Sequence, residues 1–227
     1  MKVKNLVASL LVVILATSCS KQVYNNNAYL AKHKLEGKTL AILPVEVHIA
    51  GRTDKNNNRY AEEQALSLNL QNQFHQDYLR HAGSPGKGQQ HVMLLDPEMV
   101  NSRLQNKVAD LRSVWALPAD SVGRMAGADL VYKIRISTQR YMSKDLAKGI
   151  NTGLFLLESI IENKKSSDII DMPNVKAEDV DYDISLIETR TGEVISKYIN
   201  NPDREKDEPI KDINKKMVKA AAVYVGR

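Results

Sequence analysis

The chain has 227 residues, 43% of them hydrophobic and 26% charged, an ordinary globular composition that excludes a largely disordered protein. Eleven Gly and seven Pro exclude collagen-like and low-complexity architectures, and no repeat period of roughly 20–50 residues marks a solenoid. Residues 1–18 hold two lysines and no acid, so the rest of the chain carries 30 basic and 27 acidic residues; a net charge of +3 is too small to argue for nucleic acid as a partner.

Residues 1–18 read as a secretory signal. Lys2 and Lys4 open it, 6–16 is an apolar run interrupted only by Ser9, and small residues lead into Cys19. The run is too short for an ordinary membrane-spanning helix. Cys19 is the sole cysteine, so no internal disulfide can form. The ending Leu15-Ala16-Thr17-Ser18-Cys19 resembles a bacterial lipobox of the looser, Bacteroidetes type. That resemblance implies removal of 1–18, a thioether-linked diacylglycerol on Cys19 and an acylated amine (palmitate or a similar chain). Two or more acyl chains anchor stably, because each buried methylene contributes ~0.8 kcal/mol. The alternative is a simple cleaved signal with a leftover thiol.

Residues 19–37 then read as a lipidated cysteine and a short tether that spans at most ~60–65 Å even when extended. Ser20, Lys21 and Gln22 carry no acidic signal after the cysteine. By resemblance to lipoprotein sorting rules, this places the protein at the outer membrane facing the periplasm, with display on the cell surface as the alternative.

A single α/β domain is expected over 38–227. Residues 38–49 (KTLAILPVEVHI) form an apolar run without alternation, which suits one central strand buried on both faces. Residues 59–82 predict a helix, with Leu66, Leu70, Phe74 and Tyr78 on one face. The turn 83–88 precedes a short strand at 91–95. Asp96-Pro97 caps and opens another helix, and 118–126 is a further short one.

Residues 128–141 alternate cleanly, with Leu130, Tyr132, Ile134 and Ile136 on one side and Lys133 and Arg135 on the other. Residues 143–163 have helical periodicity, with Leu146, Ile150, Leu154, Leu157 and Ile161 on one stripe. This helix could cover the second face of the sheet, meet a partner or lie on the membrane. Residues 179–190 alternate again, and Thr191-Gly192 turns the chain into a return strand at 193–199. A closing helix is expected over 209–225. The order gives an α/β (α+β) fold: a mixed sheet with two central parallel strands, a late antiparallel hairpin and helices packed on the sheet.

The segments LAILPVEV, Gly127-Ala128-Asp129-Leu130-Val131 and ETRTGEVISKYI resemble, in this order, the periplasmic α/β domain of CsgG-like lipoproteins and the amino-terminal domain of TolB-like proteins. The resemblance implies a fold rather than a task, because such domains serve secretion, regulation and envelope assembly. No long alternating hairpin for a membrane barrel is visible.

Catalytic, cofactor and metal residues are expected to be none. His33, His48, His75, His81 and His91 show no metal-ligand spacing. In 83–88 (GSPGKG), a faint phosphate-loop likeness fails because Gly88 stands where Ser or Thr must bind magnesium. Asp181 and Asp183 could share acid and base roles. Their other reading is a charge ladder, with strand 129–141 antiparallel to 179–190, Lys133 opposite Asp183 and Arg135 opposite Asp181. The functional expectation is a non-enzymatic envelope lipoprotein that scaffolds or assembles through protein contacts and meets the membrane through the lipid on Cys19. The runner-up is a subunit of a ring-forming secretion or transport complex, which would be a homo-oligomer. An enzyme comes third.

Overall fold

The computed structural model describes residues 23–51, 58–81, 85–86, 88–140, 178–198 and 210–226. Cys19 and the helix expected over 143–163 therefore lie outside the described residues. The fold is α/β: a mixed eight-stranded sheet with helices packed against it.

The strands are β1 (Val23–Asn25), β2 (Thr39–Ile42), β3 (Glu46–Gly51), β4 (Gln90–Leu94), β5 (Leu130–Arg140), β6 (Glu178–Glu188), β7 (Val194–Tyr198) and β8 (Val223–Val225). Their order is β1-β7-β6-β5-β2-β4-β8, and β3 also pairs with β5. The helices are α1 (Asn27–Leu30), α2 (Arg59–Arg80), α3 (Pro97–Gln105), α4 (Ala119–Ala126) and α5 (Ile210–Ala220), with a 3-10 helix at Leu111–Ala116.

The expected parallel crossover forms, since β2 and β4 run parallel on either side of the α2 connection. The late hairpin forms too: β6 and β7 are antiparallel, and Gly192 takes φ 74°, a left-handed conformation that glycine adopts without steric cost. α2 starts where Asn58 accepts from the amides of Tyr60 and Ala61, and α3 where Asp96 accepts from Glu98.

The apolar run 38–49 is two strands rather than one. Ile42 stands opposite Tyr132 and Glu46 opposite Arg135, so Leu43, Pro44 and Val45 face only Lys133 and Ile134 across the ladder. Pro44 has no N–H to give the ladder, and the chain takes in one extra residue there. One extra residue reverses the alternation. Leu40 and Ile42 share a face with Tyr132, whereas Glu46 and His48 share the opposite face with Lys133 and Arg135.

Two further differences concern the chain ends. Val23–Asn25, expected in the tether, pairs antiparallel with β7. Its place is secured by side chains: Asn25 donates to the Ala220 carbonyl at 2.8 Å and accepts from the Ser196 hydroxyl at 2.5 Å. The expected closing helix stops at Ala220, and Val223–Val225 adds to β4 as a parallel edge strand. Val223 and Val225 are β-branched and buried, which a half-buried strand accommodates better than a helix end does.

One face of the sheet, carrying Leu130, Tyr132, Ile134 and Ile136, is the main core. Tyr132 meets Phe74 and Tyr78 of α2 with ring centroids 5.1 and 5.6 Å apart, and the two tyrosine hydroxyls are 2.9 Å apart. Burial pushes both phenols well above their usual range, so they stay neutral. Asp77, buried on α2, accepts from Asn214 of α5 at 3.0 Å and so ties the two helices over this face.

The opposite face is covered, among the described residues, by α3, the 3-10 helix and α4, with Val100, Leu104, Val122 and Ala126 buried. α4 comes close because it carries Gly123: a Cβ there would fall on the Thr189 hydroxyl and within 2.9 Å of the Thr189 and Val131 methyl groups. Gly123→Ala should therefore destabilise by about 1–3 kcal/mol in urea unfolding, the usual cost of overpacking. Gly123→Ala/Thr189→Ala should recover part of that loss. Wild-type stability of the single variant would contradict the close approach.

Candidate functional site

Two polar groupings stand out. The first is a charged strip that crosses the face opposite the main core. Strand pairing brings Glu46 and His48 of β3, Lys133 and Arg135 of β5, Asp183 and Ser185 of β6 and Lys197 of β7 onto this one side. Glu46 is buried, and its carboxylate takes the His48 ring Nε2 at 2.8 Å, Arg135 Nε at 3.0 Å and Lys133 Nζ at 3.9 Å. Lys133 also donates to the carbonyls of Trp115 and Leu117 at 3.5 and 3.4 Å, which holds the end of the 3-10 helix on the sheet. Asp183 pairs with Lys197 at 2.9 Å and accepts from Ser185 at 3.1 Å. A cavity of about 160 Å³ lies among Lys133, Arg135, Asp183, Ser185 and Ile187.

The expected ladder is therefore half right. β5 and β6 are antiparallel along eleven residue pairs, but Arg135 faces Asp183, Lys133 faces Ser185 and Asp181 faces Ser137. The register has slid by two residues. A slide of two keeps every side chain on its face, so the alternation could not choose between the two registers. The same register continues beyond the ladder, where Thr189 N–H donates to the Asp129 carbonyl at 2.9 Å. The cations of β5 are drawn to Glu46, a partner hidden from the sequence reading by the phase reversal at Pro44. The signal that could have found it is that proline inside an otherwise unbroken strand pattern.

Beside the strip, Arg112 is clamped between Tyr60 and Trp115, 4.6 and 5.1 Å from their ring centroids, and is paired with buried Glu63. Glu63 also accepts from Ile49 N–H at 3.0 Å, which ties β3, α2 and the 3-10 helix together. His48 lies edge-on to Trp115 at 6.0 Å.

The second grouping is a larger cavity, about 430 Å³, at the end of the sheet where β2 and β5 begin and β6 ends. Lys38, Arg124, Gly127, Ala128, Asp129, Glu188, Thr189 and Arg190 line it. Buried Glu188 accepts from Lys38 and from the Thr191 hydroxyl, both at 2.8 Å. Burial alone would raise its carboxyl; the hydrogen bonds from Lys38 and Thr191 outweigh burial and hold it down at about 2. A carboxylate held so far below neutrality is a poor proton shuttle. Asp129 accepts from both the amide and the hydroxyl of Thr39, at 2.9 and 2.8 Å, and Arg124 pairs with Asp120 at 2.9 Å. In both groupings the carboxylates hold neighbouring strands and helices together.

The histidines are scattered. His33 stacks on Tyr29, His91 lies 3.8 Å from Glu36, and His75 and His81 sit on and just after α2, where burial lowers both. Among the described residues, no group of three or more His, Cys, Asp or Glu is placed to hold a metal ion. The 83–88 loop is only partly described.

The Glu188 arrangement has a pH signature. Its folded carboxyl is depressed from an ordinary 4.5 to about 2, so its stabilisation is complete above 4.5 and is lost as pH falls from there towards 2. The loss is of order 2–3 kcal/mol. Glu188→Gln should flatten this part of the stability–pH curve, measured by urea unfolding between pH 5 and 2 (about the window set by the two values). An unchanged slope would mean that the Lys38–Glu188 pair does not hold the carboxylate as described.

No family model matches the chain, and no curated protein matches it. Among solved structures, the lipoprotein GNA1162 from Neisseria meningitidis is similar at 8% identity, covering 75% of this chain and 86% of that one, with a TM-score of 0.33. The PelC dodecamer from Paraburkholderia phytofirmans is similar at 11% identity, covering 82% of this chain and 91% of that one, with a TM-score of 0.30. Likenesses this distant carry nothing over to this chain.

Proposed function

We propose that the chain is a lipid-anchored envelope protein. Cys19 bears the lipid, and the α/β domain scaffolds or assembles other envelope proteins through protein contacts rather than catalysing a reaction. The observation that carries this reading is the amino-terminal sequence: two lysines, an apolar run too short to span, small residues and a solitary cysteine. The likeness of its central and late motifs to CsgG-like and TolB-like periplasmic domains supports an envelope setting. The chemistry of the polar clusters supports the non-enzymatic part, because Glu188 is held ionised far below neutral pH and Glu46 and Asp183 are engaged by cations. The absence of an acidic residue at 20–22 favours the outer membrane, with the domain facing the periplasm.

Cys19→Ala tests the anchor. The wild type should take up an alkyne fatty acid and fractionate with the outer membrane. The variant should take up none and appear in the soluble envelope fraction with an unchanged melting temperature. Equal labelling of the two, or a variant that still sediments with membranes, would contradict the reading.

A further inference from the structure

The first strand begins four residues after Cys19, and the distances around it restrict how the sheet can meet a bilayer. With the lipid on Cys19 that the proposed function assigns, we infer that the β1 edge of the sheet rests at the bilayer surface and that the β4–β8 edge points away from it.

The reach is short. Four residues span at most about 14 Å. Val23 stands opposite Tyr198, and Tyr198 opposite Ile184. From Ile184 the sheet continues six residues to Glu178, about 20 Å at ~3.3 Å per residue. A bilayer touching that end would lie beyond the reach of Cys19. In the other direction Glu188 is four residues away, about 13 Å, and the turn through Gly192 extends further still. Standing on that end would use up the whole reach and more.

The two faces are no better placed. α5 packs beside β1 on the core face, where Asn25 bonds to Ala220, and a helix ~10–12 Å across separates that part of the sheet from anything outside. On the charged face the 3-10 helix and α4 stand over the middle of the sheet, with Lys133 bonded to Trp115 and Gly123 against Thr189. A plane can approach Cys19 from that side only by tilting down at β1. Among the described residues, nothing comparable stands over the edge itself. Tyr24 lies on it, 51% exposed, and its amphipathic ring suits the headgroup level of a membrane.

β1 is also fixed firmly enough to transmit an orientation. Val23 is buried, Asn26 N–H donates to the Ile195 carbonyl at 2.8 Å, and Asn25 bonds to both Ser196 and Ala220. From β1 to β8 there are six strand spacings, about 29 Å at ~4.8 Å each.

Tyr24 and Met93 report on this directly. Both are 51% exposed and both point to the charged face, but Met93 is on β4, five strand spacings from β1. The lipidated full chain, with Cys19 blocked by its lipid, would carry a fluorophore at Tyr24→Cys or at Met93→Cys. It would be bound to phosphatidylethanolamine vesicles containing a headgroup nitroxide. The fluorophore at position 24 should lose most of its emission and the one at 93 should keep it. Equal loss at both, or greater loss at 93, overturns the orientation. A flexible Gly/Ser insertion of about twenty residues after Gln22 should keep the protein on vesicles and abolish the contrast. A contrast that survives the insertion overturns the role of the short reach. Mass analysis of the amino-terminal peptide separates the two levels: an unlipidated Cys19 removes the proposed function and the orientation together, whereas lipidated, vesicle-bound protein with position 93 quenched removes the orientation alone.

Discussion

The structure depends on β5. Its eleven residues pair along their whole length with β6 on one side, and on the other side with β2 and then β3. No other strand has neighbours on both sides over so many residues among those described. Its alternation separates the molecule into two chemistries. Leu130, Tyr132, Ile134 and Ile136 face α2 and the main core, and Lys133 and Arg135 face the charged strip. Tyr132, fully buried between Phe74 and Tyr78, joins the strand to the longest helix. Three aromatic rings are thus buried together where the strand meets the helix, in edge and tilted arrangements that favour aromatic pairing.

Charge is used in the same constructive way. Glu46 and Glu188 are both buried carboxylates, and each is met by cations from elements distant in sequence. Removing one partner of such a group leaves a costly unpaired charge, so these pairs specify which strands lie side by side even where their net contribution is small. The extra residue at Pro44 is what brings Glu46 round to Lys133 and Arg135. A strand running on unbroken would have placed that carboxylate in the apolar core.

Long, regular elements were legible in the sequence because their periodicity repeats. α2 showed four apolar residues spaced by four, and β5 and β6 alternated over many positions; all three are present with nearly the expected bounds. Three-residue strands carry no such repetition. β1 lies in a polar stretch and β8 follows a helix without a break in hydrophobicity, so neither could be read locally; both exist because an edge of the sheet was available to pair with them. The β5–β6 register differs by two from the expected one because charge and alternation repeat every two residues and so fit both registers. Of the site residues, Lys133, Arg135 and Asp183 were found on one face as expected, but Glu46 and Glu188 were not. Glu46 was masked by a phase reversal, and Glu188 meets the Lys38 ammonium only when the fold brings it from 150 residues away.

The most direct measurement is native-state hydrogen exchange across the sheet of the lipid-free domain. If β5 is the spine and β1 a strand built onto it, amides in the middle of β5 should exchange only through global unfolding. The Asn26 amide, bonded to Ile195, should then be protected well above the rate of an open chain. Exchange of Asn26 at the open-chain rate would contradict the account. It would make the residues before Gly37 a free tether, and nothing in the fold would then hold the anchor to one edge.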